Sequence, residues 1–271
     1  MKLGVYGGGF KPFTTGHFAK LADAIRDNDK TILFYGMQQL PKDPVKAKRQ
    51  KLRGIGKSGR LYDEQIARSV FEIYKSALER IPGVEVVTVF SQAVDNLGNP
   101  LPIRSPVSAI FQTLEEFVEN PEMYEKVTIY GDRSSVIPYM RSPSFRDLVQ
   151  QGRIQFGGAV PETYDDYVDK FDELMDRGEK EARDALRSFY QEKGEDLSDE
   201  EIEARQTVRG TRVRDLASSE STSQEAKKYL PPFLSDSEKD KIIQILSGNI
   251  EEASRRDEEI LKSLIMGIIR G

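Results

Sequence analysis

The sequence GVYGGGFKPFTTGHFAKLADAIRD, from Gly4 to Asp27, joins a short apolar stretch to a helical one through a loop rich in glycine. The apolar stretch predicts a buried strand, and the apolar residues after the loop recur at the spacing of a helix. His17, the one histidine of the chain, stands at the start of that predicted helix. Glycines allow backbone amides to approach a phosphate, so the loop and the helix start together predict an anion site.

The alternation of strand and helix continues along the chain. Short apolar segments, several of them ending in glycine, predict strands at residues 2–7, 31–36, 84–90, 126–131 and 153–158, with helix-forming segments between them. This order predicts an α/β fold with a Rossmann-like parallel sheet flanked by helices. Such sheets bind ligands beyond the carboxyl ends of their strands, and the glycine loop follows the first strand.

The composition changes after Pro161, where charged, helix-forming sequence replaces the alternating pattern. We expect four regions: a Rossmann-like domain at residues 1–160, a charged helical insertion at 161–204, a segment that completes the domain at 205–234, and C-terminal helices at 235–271. The sequence Ser-Gly-Asn at residues 247–249 predicts a break between the helices of the last region. The added helical region therefore lies on the C-terminal side of the sheet domain in the sequence.

The bulk composition excludes several classes of protein. The 271 residues include no cysteine and one histidine, which excludes a disulfide framework, thiolate chemistry and a metal site built from cysteines or several histidines. The net charge of -5 gives no general attraction to nucleic acid. No apolar run approaches the roughly 20 residues that span a bilayer. We therefore expect a soluble, cytoplasmic protein without nucleic-acid or membrane partners.

One strongly basic stretch, PKDPVKAKRQKLRGIGKSGR at residues 41–60, follows the second predicted strand. It is either a solvated connector or a flap whose lysines and arginines cover bound phosphates, and the sequence leaves both interpretations open. The letters GIGKSG within it do not make a P-loop, because that motif needs a glycine five residues before Gly56 and Lys51 stands there.

The glycine loop itself admits two further kinds of site. A dinucleotide pattern begins at Gly7 and Gly9 but fails at Pro12, where the third glycine should let the helix pack on the strand. Phosphate handling fits better, because the helix start presents unpaired N–H groups and the positive end of the helix dipole. There His17 can donate a hydrogen bond to charge that develops on a phosphate, and Thr14 can add a hydroxyl.

The string GGGFKPFTTGHF at residues 7–18 resembles the (H/T)xGH signature of the nucleotidyltransferase superfamily. That superfamily includes the cytidylyltransferases and the phosphopantetheine and nicotinamide mononucleotide adenylyltransferases. The positions that match the signature are Gly8, Phe10, Pro12, Thr14, Gly16 and His17. Lys11 departs from the aspartate that many members carry before the proline.

A second stretch, TVRGTRVRDLA at residues 207–217, resembles the other signature of this superfamily, approximately Ile-Ser-Ser-Thr-x-Ile-Arg at a helix start. The positions that match are Val208, Gly210, Thr211, Val213 and Arg214, whereas Arg209 stands where a serine is usual. A Gly-Thr helix start offers amides and a hydroxyl to an anion, and an arginine adds a forked cation. The sequence therefore predicts a second phosphate-binding helix start.

A weaker resemblance lies in VTIYGDRSSVIPYM at residues 127–140. Members of the superfamily often have a strand that ends in Gly-Asp or Gly-x-Asp, followed by residues that touch the nucleotide. Gly131, Asp132 and Arg133 fit that pattern. An ordinary turn at the end of a strand has the same composition, so both interpretations stay open.

The resemblance implies a reaction in which a phosphorylated acceptor attacks the α-phosphate of ATP or CTP and pyrophosphate leaves. His17 and Thr14 would stabilise the charge on the α-phosphate, and Lys11 would face the phosphates or the acceptor. The remaining nucleotide contacts would come from the loop backbone, the turn after the fourth predicted strand and the second signature: Gly8, Gly9, Phe10, Gly131, Asp132, Arg133, Val208, Gly210, Thr211, Arg212 and Arg214.

The resemblance also implies Mg²⁺ as a cofactor, because a triphosphate can provide most of its oxygen ligands. A second hypothesis is a protein that retains the fold and binds nucleotide or serves as a structural part of an assembly, without turnover. The departures at Lys11 and Arg209 favour it, whereas Thr14, His17 and Arg214 favour activity. The choice between ATP and CTP, the identity of the acceptor and the formation of a homo-oligomer are left open at this point.

Overall fold

The computed structural model describes residues 1–37, 64–90, 105–131, 136, 138–139, 142–157 and 171–248. The basic stretch at residues 41–60 lies outside these described residues. So do Asp132 and Arg133, the beginning of the charged segment and the chain from residue 249 onward.

Five strands form one sheet in which every neighbouring pair is parallel. They are β1 (Lys2–Gly8), β2 (Lys30–Met37), β3 (Val84–Phe90), β4 (Lys126–Tyr130) and β5 (Ile154–Phe156). Each coincides with a strand that the sequence predicts. The order across the sheet is β3-β2-β1-β4-β5, which is the order of a Rossmann-like fold. The predicted α/β fold class is confirmed.

Helices follow or flank every strand. They are α1 (Thr15–Asp27), α2 (Glu64–Leu78), α3 (Pro106–Glu119), α4 (Arg146–Gln150), α5 (Phe171–Glu192), α6 (Asp199–Thr207), α7 (Gly210–Ala217), α8 (Glu220–Lys227) and α9 (Asp236–Ser247). A 3-10 turn, Pro143–Phe145, precedes α4. Helix α9 ends where the sequence predicts a break, at Gly248, whose φ of 89° is left-handed. None of the helices in the described part of the chain has the length and apolar character needed to cross a membrane.

Both faces of the sheet are buried, which explains why its strands are nearly continuous apolar runs. Side chains alternate along each strand, so that Leu3, Val5 and Phe34 pack with α3 and the 3-10 turn. Tyr6 and Tyr35 point to the other face and pack with α1, α2 and the C-terminal helices. The sheet therefore separates two cores, and its central strand β1 is held rigidly between them.

The charged segment after Pro161 contributes a helix to the second of these cores. Helix α5 packs along α1, with the rings of Phe18 and Phe189 centred 4.7 Å apart. Leu186 and Tyr190 of α5 are buried in the same apolar cluster as Phe18. The charge density of α5 thus belongs to its outer faces. The domain boundaries stay predictions.

The strand order reverses between β1 and β4. The chain builds the sheet outward from β1 through β2 and β3, and then returns to add β4 and β5 on the other side. The segments that leave β1 and β4 therefore diverge, which opens a crevice at the carboxyl end of the sheet. The glycine loop and the start of α1 follow β1 at this point.

Candidate functional site

A cleft of about 760 Å³ lies at this reversal of strand order. It is bounded by the end of β1, the glycine loop, the first turns of α1, one face of α5 and the connection between α6 and α7. Its lining residues are Tyr6, Gly7, Gly8, Gly9, Phe10, Thr14, Gly16, His17, Lys20, Glu179, Arg183, Gln206, Thr207, Val208 and Arg209. Residues from the two predicted signatures, almost 200 positions apart, therefore meet at one cleft.

The ring of Phe10 anchors the glycine loop. It is buried, and its centroid lies 4.6–5.6 Å from those of Tyr6, Phe13, His17 and Tyr35. The backbone of Gly8 passes directly over this ring, so that a β-carbon there would overlap it. The aromatic cluster fixes the path of the loop and thereby the positions of its amides.

Two buried tyrosines hold the carbonyl groups of the loop. The Tyr74 hydroxyl, from α2, donates to the Phe13 carbonyl at 2.7 Å, and the Tyr35 hydroxyl, from β2, donates to the Phe10 carbonyl at 3.4 Å. Sequence reasoning missed both supports, because each tyrosine fits the apolar pattern of its own element. The available signal was the hydroxyl itself, since a buried tyrosine usually finds a hydrogen-bond partner.

His17 is held in one orientation by the start of α1. Thr14 is the N-cap of this helix, and its backbone N–H donates to His17 Nδ1 at 2.9 Å. Because Nδ1 accepts this bond, the neutral imidazole carries its hydrogen on Nε2. The Thr14 hydroxyl lies 2.9 Å from the same Nδ1 and donates to the Val208 carbonyl at 3.4 Å. The ring therefore stands at the cleft with Nε2 as its N–H donor.

The two signatures touch through two glycines. A β-carbon on Gly16, in the first turn of α1, would overlap the carbonyl oxygen of Gln206. Conversely, a β-carbon on Gly210, the first residue of α7, would overlap the carbonyl oxygen of Lys11. The start of α1 thus contacts the backbone just before α7, and the start of α7 contacts the backbone just before α1. Only glycine allows the backbones to come this close.

The next residue of α1 adds side-chain bonds to the same junction. Thr15 is fully buried, and its hydroxyl donates to the Arg205 carbonyl at 2.5 Å. Its backbone N–H donates to the Tyr229 carbonyl at 3.0 Å. The first N–H groups of a helix have no partner within the helix. The Tyr229 carbonyl satisfies one of those of α1.

The residues of the second signature lie in three places, which are the cleft, the exposed surface and the protein interior. Helix α7 begins at Gly210, and among the described residues Val208 and Arg209 line the cleft. Gly210, Thr211, Arg212 and Arg214 do not belong to that lining. The exposed side chain of Arg212 lies 3.6 Å from the Glu225 carboxylate.

Arg214 and Lys11 form a pair of neighbouring cations behind the loop. Arg214 is 8% exposed, and its guanidinium donates to the Lys11 carbonyl and lies 3.5 Å from the Thr211 hydroxyl. Burial, and next the charge of Arg214, lower the pKa of the Lys11 ammonium. The fold thus holds two like charges near the N-terminus of α7.

Helix α5 supplies a polar wall to the cleft that sequence reasoning missed. We call Lys20, Glu179, Arg183 and Gln206 the α5 wall. Lys20 forms an ion pair with Glu179, and Arg183 Nε donates to Gln206 Oε1 at 2.9 Å. The Gln206 amide also donates to the Glu179 carbonyl at 2.8 Å. The four side chains form one connected network, for which the charged composition of the segment gave no specific signal.

Gly131 lies at a separate, much smaller cavity of about 20 Å³, which Lys20 and Asp23 also line. Burial raises the pKa of the Asp23 carboxyl to about 7, against the attraction of Arg26. Oxygens of Asp23, Asp27 and Glu181 approach one another within 4.8 Å. Their spacing suits a cation, but the Arg26 guanidinium already lies against the Asp23 carboxyl.

No protein-family model and no curated protein matches the chain. Solved structures with a likeness of overall form include two complexes with bound nucleotides. One is Thermotoga maritima TmcAL bound with alpha-thio ATP, at 16% identity and a TM-score of 0.33, covering 93% of this chain and 56% of TmcAL. The other is the NadR protein in complex with NAD and AMP-PNP, at 11% identity and a TM-score of 0.32, covering 93% of this chain and 78% of NadR. The chain thus spans little more than half the length of TmcAL.

Proposed function

We propose that this protein is a nucleotidyltransferase, which transfers a nucleoside monophosphate from ATP or CTP to a phosphorylated acceptor and releases pyrophosphate. The observation that carries the proposal is the position of His17. Its Nδ1 accepts from the Thr14 N–H, which places the ring hydrogen on Nε2, and the ring lines a cleft bounded by three consecutive glycines. A fixed N–H donor at that place suits charge that develops on a phosphate during transfer.

The phosphates are assigned to the glycine-loop end of the cleft. Helix α1 directs the positive end of its dipole there, and Gly8 and Gly9 line this end of the cleft without side chains that would keep an anion from the backbone. His17 and Thr14 contact the α-phosphate in this assignment. The β- and γ-phosphates extend toward the start of α7, where Arg209, Lys11 and Arg214 provide positive charge. An anion between Lys11 and Arg214 would relieve their mutual repulsion.

Mg²⁺ would be carried mainly by the triphosphate. Among the described residues that line the cleft, Glu179 is the sole carboxylate, and Lys20 forms an ion pair with it. These residues do not fit a protein-built magnesium cage, so we derive no catalytic step through the metal. The oxygens of the triphosphate itself are the ligands that Mg²⁺ prefers.

The chemistry requires positioning rather than a covalent enzyme intermediate. An oxygen of the acceptor phosphate forms a bond to the α-phosphorus, and the bond from that phosphorus to the bridging oxygen of the β-phosphate breaks in line with it. The electron pair leaves with pyrophosphate. His17 Nε2–H donates to a non-bridging oxygen of the α-phosphate, where charge accumulates, and the rigid loop holds the two anions at attack distance.

Pyrophosphate release from ATP or CTP with a panel of phosphorylated acceptors tests the proposal. His17→Ala should lower kcat by roughly 10²–10³ while the melting temperature stays nearly unchanged, because the change removes one donor to the transition state. Near-normal turnover in the folded variant would contradict the role of His17. Triphosphate binding without pyrophosphate release from any acceptor would instead favour a nucleotide-binding protein that has lost turnover.

A further inference from the structure

The α5 wall belongs to the same cleft as His17 but differs from the phosphate end in charge. Lys20 lies one turn beyond His17 on α1, and Glu179 and Arg183 lie one turn apart on α5. The phosphate end offers amides and cations, whereas the wall places a carboxylate between two cations. This difference bears on which part of a substrate each end can accept.

Three groups adjoin the α-phosphorus during the proposed transfer. The leaving pyrophosphate and the attacking acceptor phosphate are both anions, and they occupy opposite ends of the line of attack. The nucleoside, joined through its 5′ oxygen, is the one substituent without charge. The Glu179 carboxylate can accept hydrogen bonds from ribose hydroxyls or from an amino group of a base, whereas neither anion offers it such donors.

The network also fixes the donors of the wall. Gln206 Oε1 accepts from Arg183 Nε, and the Gln206 amide donates to the carbonyl of Glu179, so the glutamine ties one turn of α5 to the end of α6. A guanidinium carries five N–H donors, and the bond to Gln206 uses one of them. Arg183, half-buried at the cleft, is therefore an oriented donor rather than a freely solvated cation.

We infer that the α5 wall binds the nucleoside of the triphosphate, with Arg183 donating to acceptor atoms on the base edge and Glu179 accepting from hydroxyl or amino groups. The inference rests on the proposed function, since it takes the phosphates to lie at the glycine loop. It assigns the choice of base to a helix outside both phosphate signatures. Arg183 is the specificity-determining residue in this arrangement, and Gln206 is its positioning residue.

The test compares nucleotides with a ligand that has phosphates but no nucleoside. Dissociation constants are measured by calorimetry for ATP, CTP, GTP, UTP and inorganic tripolyphosphate, each with Mg²⁺, on the full chain. In Arg183→Met the nucleotide that binds wild type most tightly should weaken about tenfold or more, because a hydrogen bond from a charged donor is lost. Tripolyphosphate should bind as it does to wild type.

Two further variants guard against an effect of folding or of charge alone. Arg187→Met lies one turn along the same helix, where Arg187 pairs with Asp184 and Asp199, and should leave all five affinities unchanged. Arg183→Lys keeps the charge but loses the bond from Nε to Gln206, and it should lose discrimination among the four nucleotides as Arg183→Met does.

Each outcome separates the inference from the function on which it rests. An equal loss for tripolyphosphate and nucleotides in Arg183→Met would make Arg183 a phosphate ligand and overturn the inference alone. Unchanged nucleotide affinities in both Arg183 variants would overturn it as well. If wild type binds neither tripolyphosphate nor any nucleotide, the proposed function fails and this inference fails with it.

Discussion

The two sides of the cleft are built in different ways. The glycine-loop side, residues 7–17 with the connection at 206–211, consists of backbone segments that touch at Gly16 and Gly210. The α5 wall consists of long side chains that hold one another in place. A backbone contact tolerates one residue type at a fixed position, whereas a side-chain network can be built from many sequences. A site built from backbone contacts can therefore be recognised in the sequence by a motif, whereas a site built from a side-chain network cannot.

The largest expected effect tests the backbone contacts. Gly16→Ala would drive a β-carbon into the Gln206 carbonyl, so that the backbone of α1 or of the end of α6 would have to shift. We expect a loss of roughly 1–3 kcal/mol or more in the free energy of unfolding, together with loss of triphosphate binding. Thermal melting and calorimetry measure the two effects.

Gly9→Ala is the matched control for this change. It lies in the same loop, but no atom stands within 4 Å of the place its β-carbon would take. The stability of this variant should stay close to that of wild type. If Gly16→Ala proves as mild as Gly9→Ala, the junction of the two helix starts is looser than the contacts indicate, and the contrast between the two sides of the cleft disappears.

Arg214→Lys tests whether the second signature serves the ligand or the loop. If Arg214 holds the β- and γ-phosphates as proposed, triphosphate affinity should fall about tenfold or more, because Lys cannot reproduce the forked donor. The affinity for the corresponding monophosphate should be nearly unchanged. Calorimetry with both ligands decides between the roles. Equal losses would mean that Arg214 acts through its bond to the Lys11 carbonyl and thus on the fold.

The smallest expected effect concerns Asp23 of α1, the helix that packs along α5. Burial raises the pKa of Asp23 to about 7, well above its ordinary value of 3.8. The folded state therefore holds a proton that the unfolded chain releases, and the stability that Asp23 contributes is lost as the pH rises from about 4 through 7. Asp23→Asn cannot ionise and should flatten this decline.

The expected gain of Asp23→Asn over wild type is roughly 1–2 kcal/mol at pH 8, or a few degrees in melting temperature, and much less at pH 5. Melting curves at both pH values measure it. Asp176→Asn, on an exposed position of α5, is the matched control. A difference between Asp23→Asn and wild type that does not change with pH would show that this carboxyl is ionised in the folded protein throughout the range.

The sequence was sufficient for the sheet because each strand is apolar on both faces and is followed by a loop or helix signal. It was also sufficient to place His17 and the start of α7 at helix termini. It could not predict that Phe10 acts through its buried ring, or that Tyr74 supports the loop across 61 residues. These contacts depend on which elements become neighbours, and composition alone does not encode that.

The α5 wall shows the same limit more sharply. Glu179 and Arg183 stand in a segment where charged residues are frequent, so neither is distinctive by type. Their placement follows from the burial of Leu186 and Tyr190 against α1, which turns one polar stripe of α5 toward the cleft. The position of a charge on a helix becomes informative only when the partner of its apolar face is known.

The junction at Gly16 and Gly210 has a consequence for the synthesis of the protein. A ribosome releases the glycine loop first, yet the carbonyl groups and the helix that complete it lie beyond residue 200. A nascent chain can therefore form β1 and α1 early, but it cannot finish the cleft until the residues around 206–210 have emerged. Premature termination before α6 removes Gln206 and Gly210, the partners of Gly16 and Lys11, so an incomplete product has no assembled pocket to compete with the finished protein for its ligand.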